Sequence, residues 1–426
     1  MATTLPWKAD ASLASGPGPG PIPPTTLNQM QVGKGLVEDL ALKKLFLQGE
    51  LSLCDLADQM CVGLGIIEEV FLQFRKAQLC EVKGMVGGVH RIVATDQGKA
   101  RAQELLSQSQ YTGPTPVTLQ EYVHQVRQQS VRDAEVHASD VDRAFAHLVL
   151  GDHTLNQLGT AVVSGTSLFI YGPPGTGKTS IAEALVQMYP DHVWIPHAVE
   201  VSGQVVSLFD SAVHQRAGNP PEETDRRWVL CRRPKVVSGG ELTIEMLDLQ
   251  FNPVTKFYSA PLQMKANNGV LLIDDFGRQR VRPNELLNRW IVPLDRRIDF
   301  LTLAGGHKFE IPFDLLVVFA TNLEPRELVD EAFLRRIPNK IRVDAVNTQQ
   351  FKQILRQNCE RFHVTYEEGA VGELIELLTR ELRQPLHPCL ARDIVQQISW
   401  AARFEGKSPK FSPIAVARAC GNYFLS

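Results

Sequence analysis

Gly172-Pro173-Pro174-Gly175-Thr176-Gly177-Lys178-Thr179 fills the phosphate-loop pattern G-x-x-x-x-G-K-[ST]. A short apolar run, Leu168-Phe169-Ile170-Tyr171, precedes it, and an amphipathic stretch opens near Thr179, with Ser180 next. Strand, glycine loop and helix in that order turn backbone N–H groups toward one point and add the positive end of the helix dipole. Lys178 then reaches the β- and γ-phosphates of a nucleotide, and the Thr179 hydroxyl joins a Mg²⁺ shell. A Gly/Pro-rich turn with an accidental lysine is the bland alternative, and the strand–helix context weighs against it. The expectation is a nucleoside triphosphate site.

Such a site needs a carboxylate at the end of a second buried strand. Gly269-Val270-Leu271-Leu272-Ile273-Asp274-Asp275-Phe276 offers four apolar residues, as a parallel strand covered on both faces requires, and then two acids. Asp274 is expected in the Mg²⁺ shell and Asp275 as the group that polarises the attacking water. A third apolar run, Leu315–Ala320, ends in Thr321-Asn322.

A phosphate loop, an acidic strand and a strand ending in Ala-Thr-Asn, in that order, resemble the AAA+ ATPase family. The resemblance spans roughly residues 140–426. It implies ATP as the nucleotide, with Mg²⁺, and a three-layer α/β fold carrying a C-terminal helical lid. It also implies a first-sensor role for Asn322, which would orient water near the γ-phosphate. Asp330-Glu331-Ala332-Phe333-Leu334-Arg335-Arg336-Ile337 resembles the segment with the arginine finger, so Arg336, or next Arg335, would reach a neighbouring subunit's nucleotide. Leu390-Ala391-Arg392-Asp393 begins an expected lid helix, and Arg392 matches the second sensor. Asp275 stands where the family most often has Glu, a shorter arm that could slow hydrolysis. The stretch from Lys178 to Asp274 is long for a compact core, with hairpins expected at 242–264 and 298–311. These insertions resemble MoxR-like ATPases most nearly. Phe257-Tyr258 in the first hairpin could face a channel, although hairpin packing is the commoner role of such a pair.

Upstream, residues 34–110 read as helix, helix, helix and then two β-like segments split by Gly84 and Gly87-Gly88, the order of a winged-helix domain. Its charges argue against DNA. Acidic and basic residues nearly balance, and the third helix opens with Glu68-Glu69 where a reader would place base contacts. Residues 1–33 hold Gly16-Pro17-Gly18-Pro19-Gly20-Pro21 and Pro23-Pro24, which predicts a disordered leader. Residues 111–138 are expected as linker and helix, with Ser139-x-x-Asp142 as a capping box. The nucleotide domain is assigned to 139–346 and the lid to 347–426.

Lys and Arg total 44 against 47 Asp and Glu, a net charge of −3, which announces no nucleic-acid partner. The seven cysteines are scattered without a C-x-x-C pair, and no apolar run approaches the roughly 18 residues of a membrane span. A cytoplasmic protein is expected. His197 and Glu200 find no second cluster, so no metal beyond Mg²⁺ is assigned. The sequence therefore predicts an ATPase that self-associates into a ring, a hexamer by family resemblance, and remodels an unknown protein client. The alternatives are a DNA-associated motor using the winged helix and a slow nucleotide-gated interaction switch.

Overall fold

The computed structural model describes residues 20–221 and 223–424. At its centre five parallel strands form one sheet: β1 Leu168–Tyr171, β2 Lys235–Ser238, β3 Val270–Ile273, β4 Leu316–Thr321 and β5 Asn339–Arg342, in spatial order β2-β3-β4-β1-β5. The apolar runs explain the two-sided burial. Leu168, Ile170, Leu272, Val318 and Ala320 face one layer, while Phe169, Leu271, Ile273, Val317 and Phe319 face the other. The second layer is aromatic, with Phe276 4.9 Å from Phe319 and Trp290 stacked edge-on against both Phe313 and Phe319. β1 lies between β4 and β5, with Ile170 opposite Ala320 and Ile341. The phosphate loop therefore emerges mid-sheet, at the carboxyl ends of the strands, and runs into helix α1, Lys178–Ala184.

Helices α2 Thr348–Arg361, α3 Glu368–Glu376, α4 Pro388–Phe404 and α5 Pro413–Tyr423 form the lid around Phe351, Leu355, Leu374, Ile394 and Phe411. Asn347 caps α2 in a reciprocal box with Gln350, so the expected lid boundary coincides with a helix start.

The long insertion is not two free hairpins. Five short strands form a second sheet: Gln250–Phe251, Tyr258–Ser259, Gln204–Ser207, Ala198–Val201 and Val117–Thr118. The expected hairpin at 242–264 shrinks to the two-residue pair 250–251/258–259, followed by the short helix Leu262–Ala266. The hairpin at 298–311 is present as Ile298–Thr302 with Lys308–Pro312, and its Leu301, Phe309 and Ile311 join the insertion's core.

Residues 34–108 form helices Lys34–Gln48, Leu53–Met60, Leu64–Lys76 and Asp96–Gln108 around a small sheet of Glu50–Ser52, Val89–Ala94 and Cys80–Val86. Ser52 caps the second helix in a box with Asp55. The strand at 50–52 and the helix at 96–108 add to the sequence expectation.

Three sequence expectations need correction. Residues 1–19 of the expected leader lie outside the described residues, but 20–33 are anchored to the fold by Leu27, Met30 and Val32, buried at 4%, 0% and 4% exposure. Three apolar side chains in six residues supply the surface that the preceding Gly/Pro repeat lacks. The expected linker is likewise structural. Tyr111 and Thr115 are buried, and Val117–Thr118 pairs in parallel with Val199–Glu200. Finally, the cap ahead of the nucleotide domain sits two residues earlier, because the Asp140 carboxylate accepts the His137 N–H at 2.9 Å and the helix starts at Ala138.

Candidate nucleotide site

The phosphate loop is shaped by contacts that admit no side chain. A Cβ on Gly172, at φ +140°, would stand 2.3 Å from the Val343 carbonyl, and one on Gly175, at φ +78°, 2.3 Å from Cys389 Sγ. The Thr176 hydroxyl donates to the Pro173 carbonyl at 3.0 Å, which ties the loop across itself. Lys178 is buried and donates to the carbonyls of Gly172 and Pro173 at 3.0 and 2.7 Å. Burial lowers its pKa, while Asp274 and Asp275 pull the other way.

Across the cleft, the Thr179 hydroxyl donates to Asp274, with its two carboxylate oxygens at 3.2 and 2.9 Å. Thus the two residues expected to share a cation stand together although they come from α1 and the end of β3. Asp274 also accepts the Asp275 N–H at 3.0 Å. Asp275 takes φ +49°, a left-handed conformation that Asp tolerates better than most residues, and it stays exposed at the cleft. The turn is held from behind by Phe276 N–H to the Ala320 carbonyl at 2.7 Å and by Gln279 Nε2 to the Asp274 carbonyl at 2.8 Å.

These groups line one cleft of about 860 Å³ between sheet and lid. Pro174, Gly175, Thr176, Gly177, Lys178, Thr179 and Ser180 form its floor, with Asp274, Asp275, Thr321 and Asn322 on one side. Arg392 enters from α4 and is bonded to Asp393 at 2.8 Å, a hydrogen bond that raises its pKa. Gly172 and Pro173 shape the loop from beneath, through the Lys178 contacts above.

Arg335 and Arg336 do not line this cleft. They end the helix Glu331–Arg336, where Arg336 pairs with Asp295 at 2.9 Å and Arg335 is exposed. Phe257 and Tyr258 are packing residues. Phe257 meets Tyr111 edge-on at 5.5 Å, and buried Tyr258 accepts the Ala304 N–H through its hydroxyl at 2.9 Å.

Sequence reasoning missed several neighbours. Cys389 lies directly on the loop, its N–H donating to the Gly175 carbonyl at 3.2 Å. Arg342 closes β5, bonded to Asp344 at 2.8 Å, and Arg361 enters from the end of α2. β5, Asn339-Lys340-Ile341-Arg342, holds one apolar residue among three polar ones at the sheet edge, so it lacks the apolar run that exposed the central strands. Only the position of Cys389, three residues before Arg392, hinted at its place.

The cleft lies at the carboxyl edge of a β2-β3-β4-β1-β5 parallel sheet, under a helical lid, with phosphate loop and acidic strand end adjacent. The AAA model, the ATPase family associated with various cellular activities, matches residues 168–226, which begin at β1 and include the whole loop. The chain has the AAA+ P-loop fold. Within this AAA+ fold the lid matches a second model at residues 347–422, described as a domain of unknown function (DUF8689). No curated protein matches the chain. Among solved structures, the Thermotoga maritima RuvB Holliday junction branch migration motor is 16% identical, covering 64% of this chain and 69% of that one, at a TM-score of 0.37. NtrX from Brucella abortus is 13% identical, covering 74% and 60%, at 0.41.

The donor set of this AAA+ site fits a magnesium nucleotide. The loop glycines leave backbone room for phosphates, and among the described residues Lys178 donates to the Gly172 and Pro173 carbonyls, which a phosphate oxygen can replace. Thr179 and Asp274 present the hard oxygen ligands that Mg²⁺ takes.

Proposed function

We propose that the protein is a Mg²⁺-dependent ATPase acting as an oligomeric ring, a hexamer by family resemblance, that remodels a protein partner in the manner of MoxR-like chaperones. The observation that carries the hydrolytic reading is the Thr179–Asp274 hydroxyl–carboxylate pair, set beside exposed Asp275 and Asn322 in one cleft. In this reading Thr179 and Asp274 hold Mg²⁺, which would neutralise charge on the β- and γ-phosphates. Lys178 exchanges its carbonyl partners for phosphate oxygens and fixes the terminal phosphoryl group. Asp275 accepts a hydrogen bond from the attacking water and draws its proton, while Asn322 orients that water. Arg392 reports the nucleotide to the lid. Arg336, or next Arg335, stabilises transition-state charge in a neighbouring copy, a role that suits their position outside their own cleft.

We assign residues 34–110 as a winged-helix-like unit serving protein contacts. Its third helix, Leu64–Lys76, is partly covered at the end where a DNA reader makes base contacts, with Gly65 and Glu68 still exposed. The Thr25 carbonyl lies 3.6 Å from where a Gly65 Cβ would stand, and the Leu27 N–H donates to Glu69 at 3.4 Å. That cover and the acidic Glu68-Glu69 pair weigh against groove binding.

Steady-state ATP hydrolysis per subunit, measured as protein concentration rises, tests the reading. A specific rate that climbs with concentration and collapses in both Lys178→Ala and Arg336→Ala supports shared sites. A concentration-independent rate that ignores Arg336 removes the trans finger, and nucleotide binding without hydrolysis favours the switch.

A further inference from the structure

The turn after β3 carries backbone strain at the residue proposed to draw the proton. Asp275 is held at φ +49°. Two residues on, Gly277 takes φ +100°, and a Cβ there would stand 2.6 Å from Leu328 Cδ2. A non-glycine residue in the left-handed region persists where its surroundings over-determine it. Strands on both sides do part of this. Asp274 N–H donates to the Ser238 carbonyl at 2.8 Å, at the end of β2. Phe276 N–H donates to the Ala320 carbonyl at 2.7 Å, and the buried Thr321 hydroxyl donates to the Phe276 carbonyl at 2.7 Å, both from β4.

These strands leave two groups of the turn unserved, the Asp274 carbonyl and the Gly277 N–H. One side chain takes both. Gln279 Nε2 donates to the Asp274 carbonyl at 2.8 Å, and Gln279 Oε1 accepts the Gly277 N–H at 2.8 Å. A primary amide suits this task because it carries donor and acceptor side by side. The two bonds bracket Asp275 and Phe276, and both go to backbone rather than to a carboxylate. Gln279 is half-buried and is itself fixed from the C-terminal side. The next two N–H groups, of Arg280 and Val281, donate to the Gly240 and Leu242 carbonyls, each at 3.2 Å.

We propose that Gln279 is a positioning residue for hydrolysis, its two-point clamp holding the left-handed backbone that aims Asp275 at the attacking water. An aspartate arm is one methylene shorter than a glutamate arm, so backbone placement has to supply the reach. The inference rests on the ATPase reading and adds a residue to it. A misplacement of about 1 Å can cost about 10²-fold in rate. Lys178 and Thr179 lie on α1, outside the clamp, so Gln279 acts on kcat and not on nucleotide affinity.

Two variants of the full chain test this. Gln279→Met keeps the side-chain length and removes both hydrogen bonds, whereas Gln279→Glu keeps the acceptor for Gly277 and sets a second acceptor against the Asp274 carbonyl. In both, kcat should fall by at least about tenfold. The melting temperature and the dissociation constant of a non-hydrolysable ATP analogue should stay at wild-type values. In nucleotide-free protein the Gly277 amide should exchange faster in Gln279→Met and remain protected in Gln279→Glu. In an Asp275→Asn background, Gln279→Met should cost almost nothing further, because the group it aims is gone. An unchanged kcat in both Gln279 variants overturns the clamp and leaves the ATPase reading standing. So does an equal fold-loss with and without the Asp275 carboxylate, which would make Gln279 structural only. Wild-type protein that binds nucleotide without hydrolysing it overturns both.

Discussion

Gly175 is where phosphate loop and lid meet. Its backbone is left-handed, its carbonyl accepts the Cys389 N–H, and Cys389 Sγ fills the space of an absent side chain. Gly175→Ala should therefore weaken ATP binding for two reasons, backbone strain of about 1 kcal/mol or more and a clash with the lid. Adding Cys389→Ala should recover the clash component but not the strain. Fluorescent-nucleotide titration of the single and double variants separates them, and a double variant no better than Gly175→Ala would mean that the sulfur contact contributes nothing. At the same scale, Asp275→Asn should keep ATP affinity and lower kcat by about 10²–10⁴-fold, the range for losing a positioned general base. Equal loss of affinity and rate would assign Asp275 to nucleotide binding instead.

His197 carries a pH prediction. Burial, with Arg216 adding to it, depresses its pKa to about 4, and its ring packs on Phe209. In the unfolded chain a histidine titrates near about 6.5. Between those values the unfolded chain binds a proton that the folded chain refuses, so stability present above the unfolded value is lost as pH falls through the window. The melting temperature should drop between pH 7 and pH 5, and His197→Asn should flatten that drop; parallel curves for the two proteins would clear His197 of the role.

Among elements, the segment 20–33 has the most consequence that its composition conceals. It runs from the insertion, where the Pro21 carbonyl accepts the Asp225 N–H at 2.9 Å, to the N-terminal unit, where Met30 is wholly buried. It thus straps one element to another. Met30→Ala should cost about 2–5 kcal/mol, as burial of a large apolar side chain in a packed core implies. Chemical denaturation reads this directly, and a change below about 1 kcal/mol would show the strap to be loosely seated. The short strand Val117–Thr118 is the same lesson in another form. Two residues have no periodicity to detect, and only their pairing with Val199–Glu200 makes them part of a sheet.

At the scale of the whole molecule, N-terminal unit and insertion are joined by many small contacts. Arg226 donates to Asp58 at 2.6 Å, Gln110 N–H to the Thr255 carbonyl at 2.8 Å, and Phe257 packs edge-on against Tyr111. The lid is joined to the core through the cleft itself, where Cys389 and Arg392 face the phosphate loop. In the proposed reading, nucleotide occupancy would move the lid without disturbing the N-terminal contacts. Hydrogen exchange with and without ATP should show protection changing across 347–424 and 172–184 and little change at 20–110. Changes spread evenly over the chain would contradict that division.

The sequence by itself determined the α/β fold and the candidate nucleotide site set within it. A phosphate loop must be glycine-rich, lysine-tipped and set between strand and helix, and a buried parallel strand must be an apolar run. Both constraints are local and leave their mark within a dozen residues, which is why Lys178, Thr179 and Asp274 were legible before their meeting was seen. Only the tertiary structure decided the rest: the strap, the strand at 117–118, the seating of Cys389 on Gly175, and the positions of Arg342 and Arg361 at the cleft. Each depends on segments far apart in the chain, with ordinary residues at each end, and the energy that fixes them comes from contact between surfaces that local pattern does not encode.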